Sequence, residues 1–186
     1  MTALPDSPER VDGDGLVLRS FRDGDVTALV AAFADPEIVR WNPGPSADDD
    51  DLAWVREWMG RRNDWTPGDH VSWAVADADG ALVGSVSLHQ VDWDQRDAEI
   101  GYWVAPTARG RGVATLAVRI AADYAFHRLD LHRVYLFHAS ENVASCRVAE
   151  RAGFSLEGTL RGSHRYADGR YHDEHVHGRL HDDSPP

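Results

Sequence analysis

Alternating apolar and polar residues predict β-strands in several stretches of the chain. "LVLRSF" (residues 16–21) predicts a first strand. Three runs at hairpin-like spacing, "VSWAVAD", "ALVGSVSLHQV" and "AEIGYWVA", predict an antiparallel meander. "HRVYLFHA" is typical of a buried strand, and "FSLEGTLR" and "YHDEHVHGRL", joined by a turn at "ADGRY", predict the last two strands.

Apolar residues at helical spacing lie between these strands. "DVTALVAAFADPEIV" predicts a helix that breaks at Pro36, and a second helix follows a loop, capped by Ser46 or by an aspartate of 48–51. A third helix is predicted over roughly 112–128, and "NVASCRVAERAG" predicts a fourth. The order predicts one α/β domain (an α+β mixed sheet) over 16–180, with about seven strands and about four helices. Residues 1–15 and 181–186 are predicted to be flexible tails.

Composition narrows the functional classes. The net charge is −12, all 19 basic residues are arginine, and there is one cysteine among 186 residues. So acidic a chain is a poor nucleic-acid binder and favours a cationic partner, although the charge also serves solubility. The chain has no long apolar segment and no secretory signal, so we expect a cytoplasmic protein without a membrane partner.

The stretch "RGRGVA" (residues 109–114) has the composition of a phosphate-binding loop. Gly110 and Gly112 allow close backbone approach, and Arg109 and Arg111 add positive charge before a predicted helix start. A P-loop is excluded because the chain has no lysine. The dinucleotide fingerprint lacks its third glycine, whose place is taken by Thr115.

The loop and its surroundings resemble the GCN5-related N-acetyltransferases. "RGRGVA" matches their Q/R-x-x-G-x-G/A signature, and "LVLRSFRDGD", "LVGSVSL", "AEIGYWVAPTARGRGVAT", "ENVASCRVAERAGFSLEGTLR" and "YHDEHVHGRL" are similar to the RimJ/RimL-type branch. The resemblance covers about residues 16–180. It implies a fold like that family's, acetyl-coenzyme A as co-substrate, and direct transfer of the acetyl group to an amine.

The resemblance also implies a coenzyme site. The strand of residues 98–104 would splay from its neighbour and pair with the pantetheine arm, the loop amides would hold the pyrophosphate, and the backbone N–H of Val104 would stabilise the oxyanion. The implied coenzyme-binding residues are Trp103, Val104, Arg109, Gly110, Arg111, Gly112, Val113, Ala114, Thr115, Asn142 and Arg147.

Three residues are candidates for proton transfer. Ser145 matches the serine that the RimL-like branch places near the coenzyme sulfur, and a helix-capping role is the alternative. Glu99 matches a catalytic glutamate of several members, but alternation does not say whether its side of the strand or that of Tyr102 and Val104 faces the substrate. His164 lies where the branch carries an acidic candidate base, and a water chain is a further option.

The sequence gives less support to metal binding and to a reactive cysteine. His172, His175 and His177 are expected to be exposed strand histidines without a metal, and Cys146 a buried structural thiol. Trp41 is placed at the mouth of the acceptor cleft. The acceptor is a basic N-terminal peptide or a small amine, and a homodimer stays open. The alternatives are an acyl-coenzyme A-binding regulatory module without turnover and, more remotely, a nucleotide-binding oxidoreductase.

Overall fold

One mixed sheet organises the protein. A computed structural model describes residues 4–42 and 51–183. Within these ranges eight strands form the sheet in the order β1-β2-β3-β4-β5-β6-β8-β7, and all neighbours are antiparallel except β5 and β6. The strands are β1 (Val11–Gly13), β2 (Leu16–Arg19), β3 (His70–Ala76), β4 (Leu82–Asp92), β5 (Asp97–Val104), β6 (Arg133–Ala139), β7 (Ser155–Arg165) and β8 (Tyr171–Leu180).

Five α-helices in the described part of the chain cover the two faces of this sheet. The mixed α/β class and the antiparallel meander β3–β5 are confirmed, with one strand and one helix more than the sequence predicts. The additional helix arises because the segment that breaks at Pro36 resumes there, with proline in the first turn where its missing N–H costs nothing. The helices are α1 (Val26–Phe33), α2 (Pro36–Trp41), α3 (Asp51–Asn63), α4 (Val113–His127) and α5 (Val143–Arg151).

Two apolar cores lie on opposite faces of the sheet. The larger core joins α4 and α5 to alternate strand residues such as Val86, Leu88 and Ile100. The smaller one joins α1, α2 and α3 to the other face through Ala74 and Trp103. Successive strand residues point to opposite faces, so β5 sends Trp103 toward α1–α3 and Tyr102 toward α4 and α5.

The N-terminal segment differs from the prediction. Within the predicted tail, residues 11–13 form β1, and Glu9 is tied to the domain. The Tyr124 hydroxyl donates to the Glu9 carboxylate at 2.8 Å, and the Trp73 indole N–H donates to its carbonyl at 2.9 Å. These partners lie more than 60 residues away, so local sequence gave no sign of them. Ser46 and Asp48–Asp50 lie outside the described residues, and Asp51 opens α3.

Glycines bring β4 and β5 close together beside the candidate site. A Cβ atom at Gly84 would lie 2.5 Å from the Trp103 carbonyl oxygen, and one at Gly101 would lie 2.9 Å from the ring of His89. Because both distances are shorter than van der Waals contact, only glycine allows β5 and His89 to lie as they do.

Among the described residues no helix combines the length and apolar character needed to cross a bilayer.

Candidate active site

The two parallel strands at the centre of the sheet separate soon after they begin to pair. β5 and β6 pair through three residue pairs, from Asp97 with Arg133 to Glu99 with Tyr135. Beyond these pairs β5 continues to Val104 and β6 continues to Ala139, and in the described part of the chain the two strands do not pair with each other again. A wedge-shaped gap therefore opens between the strands, and we call it the β5–β6 gap.

The free backbone groups of β5 point into this gap at every second residue. The Ala105 N–H donates to the Val83 carbonyl of β4 at 2.9 Å. Because N–H groups alternate between the two edges of a strand, the amides of Val104 and Tyr102 point away from β4 and into the gap. The amide of Trp103 points toward β4. The resemblance assigned both Trp103 and Val104 to backbone pairing with the coenzyme, and only Val104 has the required direction.

The arginine–glycine loop enters α4 without a capping side chain. Gly110 and Gly112 have φ angles of 75° and 79°, in the left-handed region, and Gly112 is the N-cap of α4. A Cβ atom at either glycine would have no neighbour within 4 Å, so the space above the loop is open. The first-turn amides, those of Val113, Ala114 and Thr115, have no acceptor within the helix. The loop thus offers an anion both free donors and the positive end of the helix dipole.

The loop arginines have different partners. The Arg109 side chain forms an ion pair with Asp35, whose carboxylate also caps α2 by accepting from Ile38 N at 3.0 Å. The hydrogen bond from Arg109 lowers the pKa of Asp35, against the opposing effect of burial. Arg111 and Arg147 are exposed and have no ion-pair partner among the described residues, so both cations are available to an anionic ligand.

Helix α5 begins beside the gap and presents Ser145 to β5. The Asn142 side chain caps this helix, accepting from Ser145 N at 3.1 Å. The Ser145 hydroxyl is therefore free of the capping role, and it lies 2.6 Å from the hydroxyl of Tyr102. Burial raises the pKa of Tyr102 to about 12, so this phenol stays protonated at neutral pH and can donate to Ser145.

Glu99 lies on the opposite face of the sheet, at the last residue pair before the gap opens. Its carboxylate is 3.3 Å from Nε2 of His89 and accepts from Gln90 Nε2 at 2.9 Å. The other ring nitrogen of His89 is 3.5 Å from the Ser87 hydroxyl. A carboxylate paired with an imidazole is a suitable group to accept a proton from an amine.

An aromatic cluster lies on the same face, between α2 and the β7–β8 hairpin. The ring of Trp41 packs edge-on against Tyr166 at 5.4 Å, and the exposed ring of His164 lies 4.7 Å from that tyrosine. The Tyr166 hydroxyl donates to the buried carboxylate of Glu174 at 2.9 Å. Aromatic faces beside a carboxylate favour a cationic guest.

The expectation of exposed strand histidines is wrong. His177 is fully buried, His175 is half-buried, and His172 is held between Glu141 at 3.1 Å and Asp168 at 2.9 Å. Alternation along β8 directs His175 and His177 beneath α5, where apolar residues pack, rather than to solvent. Cys146, expected to be buried, is only half-buried, and burial raises the pKa of its thiol, which makes it a poor nucleophile.

Sequence reasoning missed several residues of this region, among them His89, Tyr166 and Glu174, and three further residues show why. Alternation along the strand places Tyr102 on the same side as Val104, but its partner Ser145 lies 43 positions away in the sequence, so no local pattern predicts their contact. Asp35 precedes Pro36 as a helix cap, and nothing local connects it with Arg109. His138 follows Val134 and Leu136 at period two in "HRVYLFHA", a signal from which its burial could have been predicted.

Comparison with known proteins identifies the family. The family model described as "Acetyltransferase (GNAT) domain" matches residues 15–155. The chain therefore belongs to the GNAT acetyltransferase family. A Bacillus subtilis (strain 168) protein named "Putative ribosomal N-acetyltransferase YdaF" is 45% identical over 95 residues, 51% of each chain. The chain thus matches about half the length of this curated relative.

Two solved structures share the fold over nearly the whole chain. Mycobacterium smegmatis RimJ in complex with CoA-disulfide superimposes with a TM-score of 0.79 and 27% identity, covering 92% of this chain and 84% of RimJ. Spermidine N-acetyltransferase from Vibrio cholerae in complex with CoA and spermine gives a TM-score of 0.77 at 27% identity, covering 91% and 97% of the two chains.

We predict that the Arg109–Asp35 pair stabilises the loop in a pH-dependent way. Because the folded pKa of Asp35 is lowered, its contribution is complete above the unfolded pKa and is lost as pH falls through the folded value. A double-mutant cycle of Arg109→Gln and Asp35→Asn should give a coupling of roughly 0.5 kcal/mol at pH 7. Urea unfolding should show it declining toward pH 3.

The exposed pair of Arg56 and Asp23 is the matched control, and its coupling should be near zero at every pH. An Arg109–Asp35 coupling of constant size between pH 7 and pH 3 would contradict the assignment.

Proposed function

We propose that the protein transfers the acetyl group of acetyl-coenzyme A to a primary amine by direct attack. The observation that carries this proposal is the β5–β6 gap together with the open loop at the start of α4. A coenzyme with a diphosphate at one end and an amide-containing arm at the other fits both features at once. Membership of the GNAT family and similarity to solved structures in complex with CoA-disulfide or with CoA support it.

The coenzyme would bind from the loop inward. The amides of residues 110–115 and the free cation of Arg111 would hold the diphosphate. The arm would lie along the gap edge of β5, where the carbonyl of Val104 and the backbone groups of Tyr102 lack a strand partner and the arm's amides can satisfy them. Asn142 lies at the start of α5 and would contact the arm near its thiol end, while Arg147 would contribute a further positive charge.

Groups from both faces of the sheet would act on the reacting atoms. On the α1–α3 face, Glu99 with His89 would accept the proton of the attacking amine, and within the gap the Val104 N–H would donate to the oxyanion. On the α5 face, Ser145 would donate a proton to the departing sulfur while Tyr102 orients its hydroxyl. Glu99 is favoured over His164 as the base because it stands at the vertex of the gap, whereas His164 is exposed among the rim aromatics.

The acceptor would approach over the aromatic cluster of Trp41 and Tyr166. A protonated amine is attracted there by the aromatic faces, by Glu174 and by the negative charge of the whole chain. Both an N-terminal α-amine of a basic protein and a small polyamine have this chemistry. Relatives named for ribosomal and for spermidine acetylation support both acceptor classes.

We predict that Gly112→Glu weakens acetyl-coenzyme A binding by about 10²-fold. The substitution adds a carboxylate beside the diphosphate, and like charges about 4 Å apart repel by roughly 1–4 kcal/mol. Gly112→Ala carries the same strain at positive φ without the charge and should lower affinity less. Isothermal titration calorimetry measures both dissociation constants.

Gly15→Glu is the second control, since Gly15 also has a positive φ of 77° and open space around it in the β1–β2 turn. Equal affinities for Gly112→Glu and Gly15→Glu would contradict a diphosphate site in the loop.

We also predict that Ser145→Ala lowers kcat on the order of 10²-fold, within the range for loss of a general acid. The dissociation constant for acetyl-coenzyme A should stay nearly unchanged. Tyr102→Phe should lower kcat by a smaller factor, and the double variant should be no slower than Ser145→Ala alone because Tyr102 acts through Ser145. Steady-state thiol release measures kcat for all three variants.

The matched control for lost phenol is Tyr171→Phe, because Tyr171 is 70% exposed on β8. An unchanged kcat for Ser145→Ala would remove its role as a proton donor. Additive losses for Ser145→Ala and Tyr102→Phe would contradict the role of Tyr102 in orienting the Ser145 hydroxyl.

A further inference from the structure

Four metal-binding side chains converge between the sheet and α5. His138 on β6 stands opposite His175 on β8, and His177 lies two residues further along the same face of β8. Cys146 reaches them from α5. One potential ligand atom from each residue lies within 4.8 Å of all the others. Residues on three separate elements thus contribute to one small cluster, which we call the His₃Cys cluster.

The hydrogen bonds of His138 leave one of its nitrogens free to bind. Its Nδ1 lies 2.8 Å from the Ala139 carbonyl oxygen, and a carbonyl only accepts, so Nδ1 carries the proton. Nε2 therefore presents a lone pair, and it points at Nε2 of His177 at 3.2 Å. A histidine whose second nitrogen donates to a backbone carbonyl has the arrangement common among metal ligands.

Two buried ring nitrogens of the cluster lack hydrogen-bond partners. Nδ1 of His175 and Nδ1 of His177 are buried without a hydrogen-bond partner among the described residues. If His177 donates from Nε2 to His138, its own Nδ1 is left as a buried lone pair. If it holds the proton on Nδ1, two lone pairs face each other at 3.2 Å. Either arrangement costs free energy. In the arrangement with the proton on Nδ1 of His177, a cation bound between the two Nε2 atoms would remove the repulsion between their lone pairs.

The distances suit a small tetrahedral ion. Zinc binds nitrogen at about 2.0–2.1 Å and sulfur at about 2.3 Å, so neighbouring ligand atoms of a tetrahedral site lie roughly 3.3–3.6 Å apart. The two Nε2 atoms of His138 and His177 are 3.2 Å apart, and Sγ of Cys146 is 3.8 Å from Nε2 of His177. Shifts of a few tenths of an ångström would bring these two distances into that range, and the other ligand atoms of the cluster lie within 4.8 Å of one another.

From this convergence we propose that His138, Cys146, His175 and His177 form a structural zinc site. Three imidazoles and one thiolate are a borderline-soft ligand set that favours zinc over magnesium or calcium. Binding would form a metal–sulfur bond and release the thiol proton to solvent. The carboxylate of Glu150, 3.9 Å from Sγ of Cys146, would offset the positive charge that remains.

Such a site would fix the start of α5 against β6 and β8. Cys146 directly follows Ser145, so an ion held by Cys146 would restrain the serine that we place at the coenzyme sulfur. Four protein ligands leave no open position for substrate, as in other structural zinc sites. The ion would thus serve the fold around the active site rather than the acetyl transfer itself.

Cobalt(II) titration of the tag-free, metal-stripped protein tests the proposal directly. Tetrahedral cobalt bound to a thiolate gives strong visible bands and a sulfur-to-cobalt charge-transfer band, and Cys146 is the only cysteine of the chain. We expect these bands to saturate at one cobalt per chain and one equivalent of zinc to abolish them. Cys146→Ser and His175→Gln should each weaken binding by more than about tenfold, a loss that removal of even an outer partner can cause.

His172→Gln is the matched control, because His172 lies on the same strand but pairs with Glu141 and Asp168 instead. It should bind cobalt as the unsubstituted protein does. Circular dichroism in the presence of EDTA checks that each variant is folded. Absence of cobalt binding, a weak octahedral spectrum without the charge-transfer band, or equal affinity in Cys146→Ser and His172→Gln would overturn the proposal.

Discussion

The early end of pairing between β5 and β6 is the constraint on which the rest of the candidate site depends. Three residue pairs hold these central strands together, and beyond Glu99 and Tyr135 each strand keeps only its outer neighbour. Backbone groups at the exposed edge of β5 are left without a strand partner. Unpaired backbone groups inside a protein need water or a ligand, so the gap is both a cost to the fold and the place where an extended ligand can bind.

The gap also lets side chains from opposite faces of one sheet meet. Elsewhere a continuous sheet separates the α1–α3 face from the α4–α5 face, so Glu99 and Ser145 would have no common neighbour. Where the strands diverge, groups above and below can both reach a ligand that lies between them. Direct transfer between two substrates benefits from this arrangement, since most of its catalytic gain comes from orienting them. In the proposed function, the loop at α4 would hold the far end of the coenzyme and thereby fix the position of its reactive end.

Local features of this protein could be predicted from sequence, and contacts between distant elements could not. The loop was predictable because Gly110 and Gly112 precede a strongly periodic helix, and the meander because its strands alternate. Tyr102 meets Ser145 only because packing against α4, β6 and β7 places the start of α5 beside β5, which no local pattern encodes. The burial of His177 likewise depends on the register of β8 against β6 and on α5 above it. The three-residue strand β1 is too short for alternation to reveal it.

The measurement that tests the central claim most directly combines coenzyme binding with turnover. Acetyl-coenzyme A is titrated calorimetrically, and release of free thiol is then followed over a panel of polyamines, small primary amines and basic peptides with free N-termini. We predict saturable 1:1 binding and thiol release with at least one amine class, with the acetyl group recovered on the amine. Absence of binding would contradict the loop and gap as a coenzyme site. Binding without thiol release on any amine would contradict the acetyltransferase function.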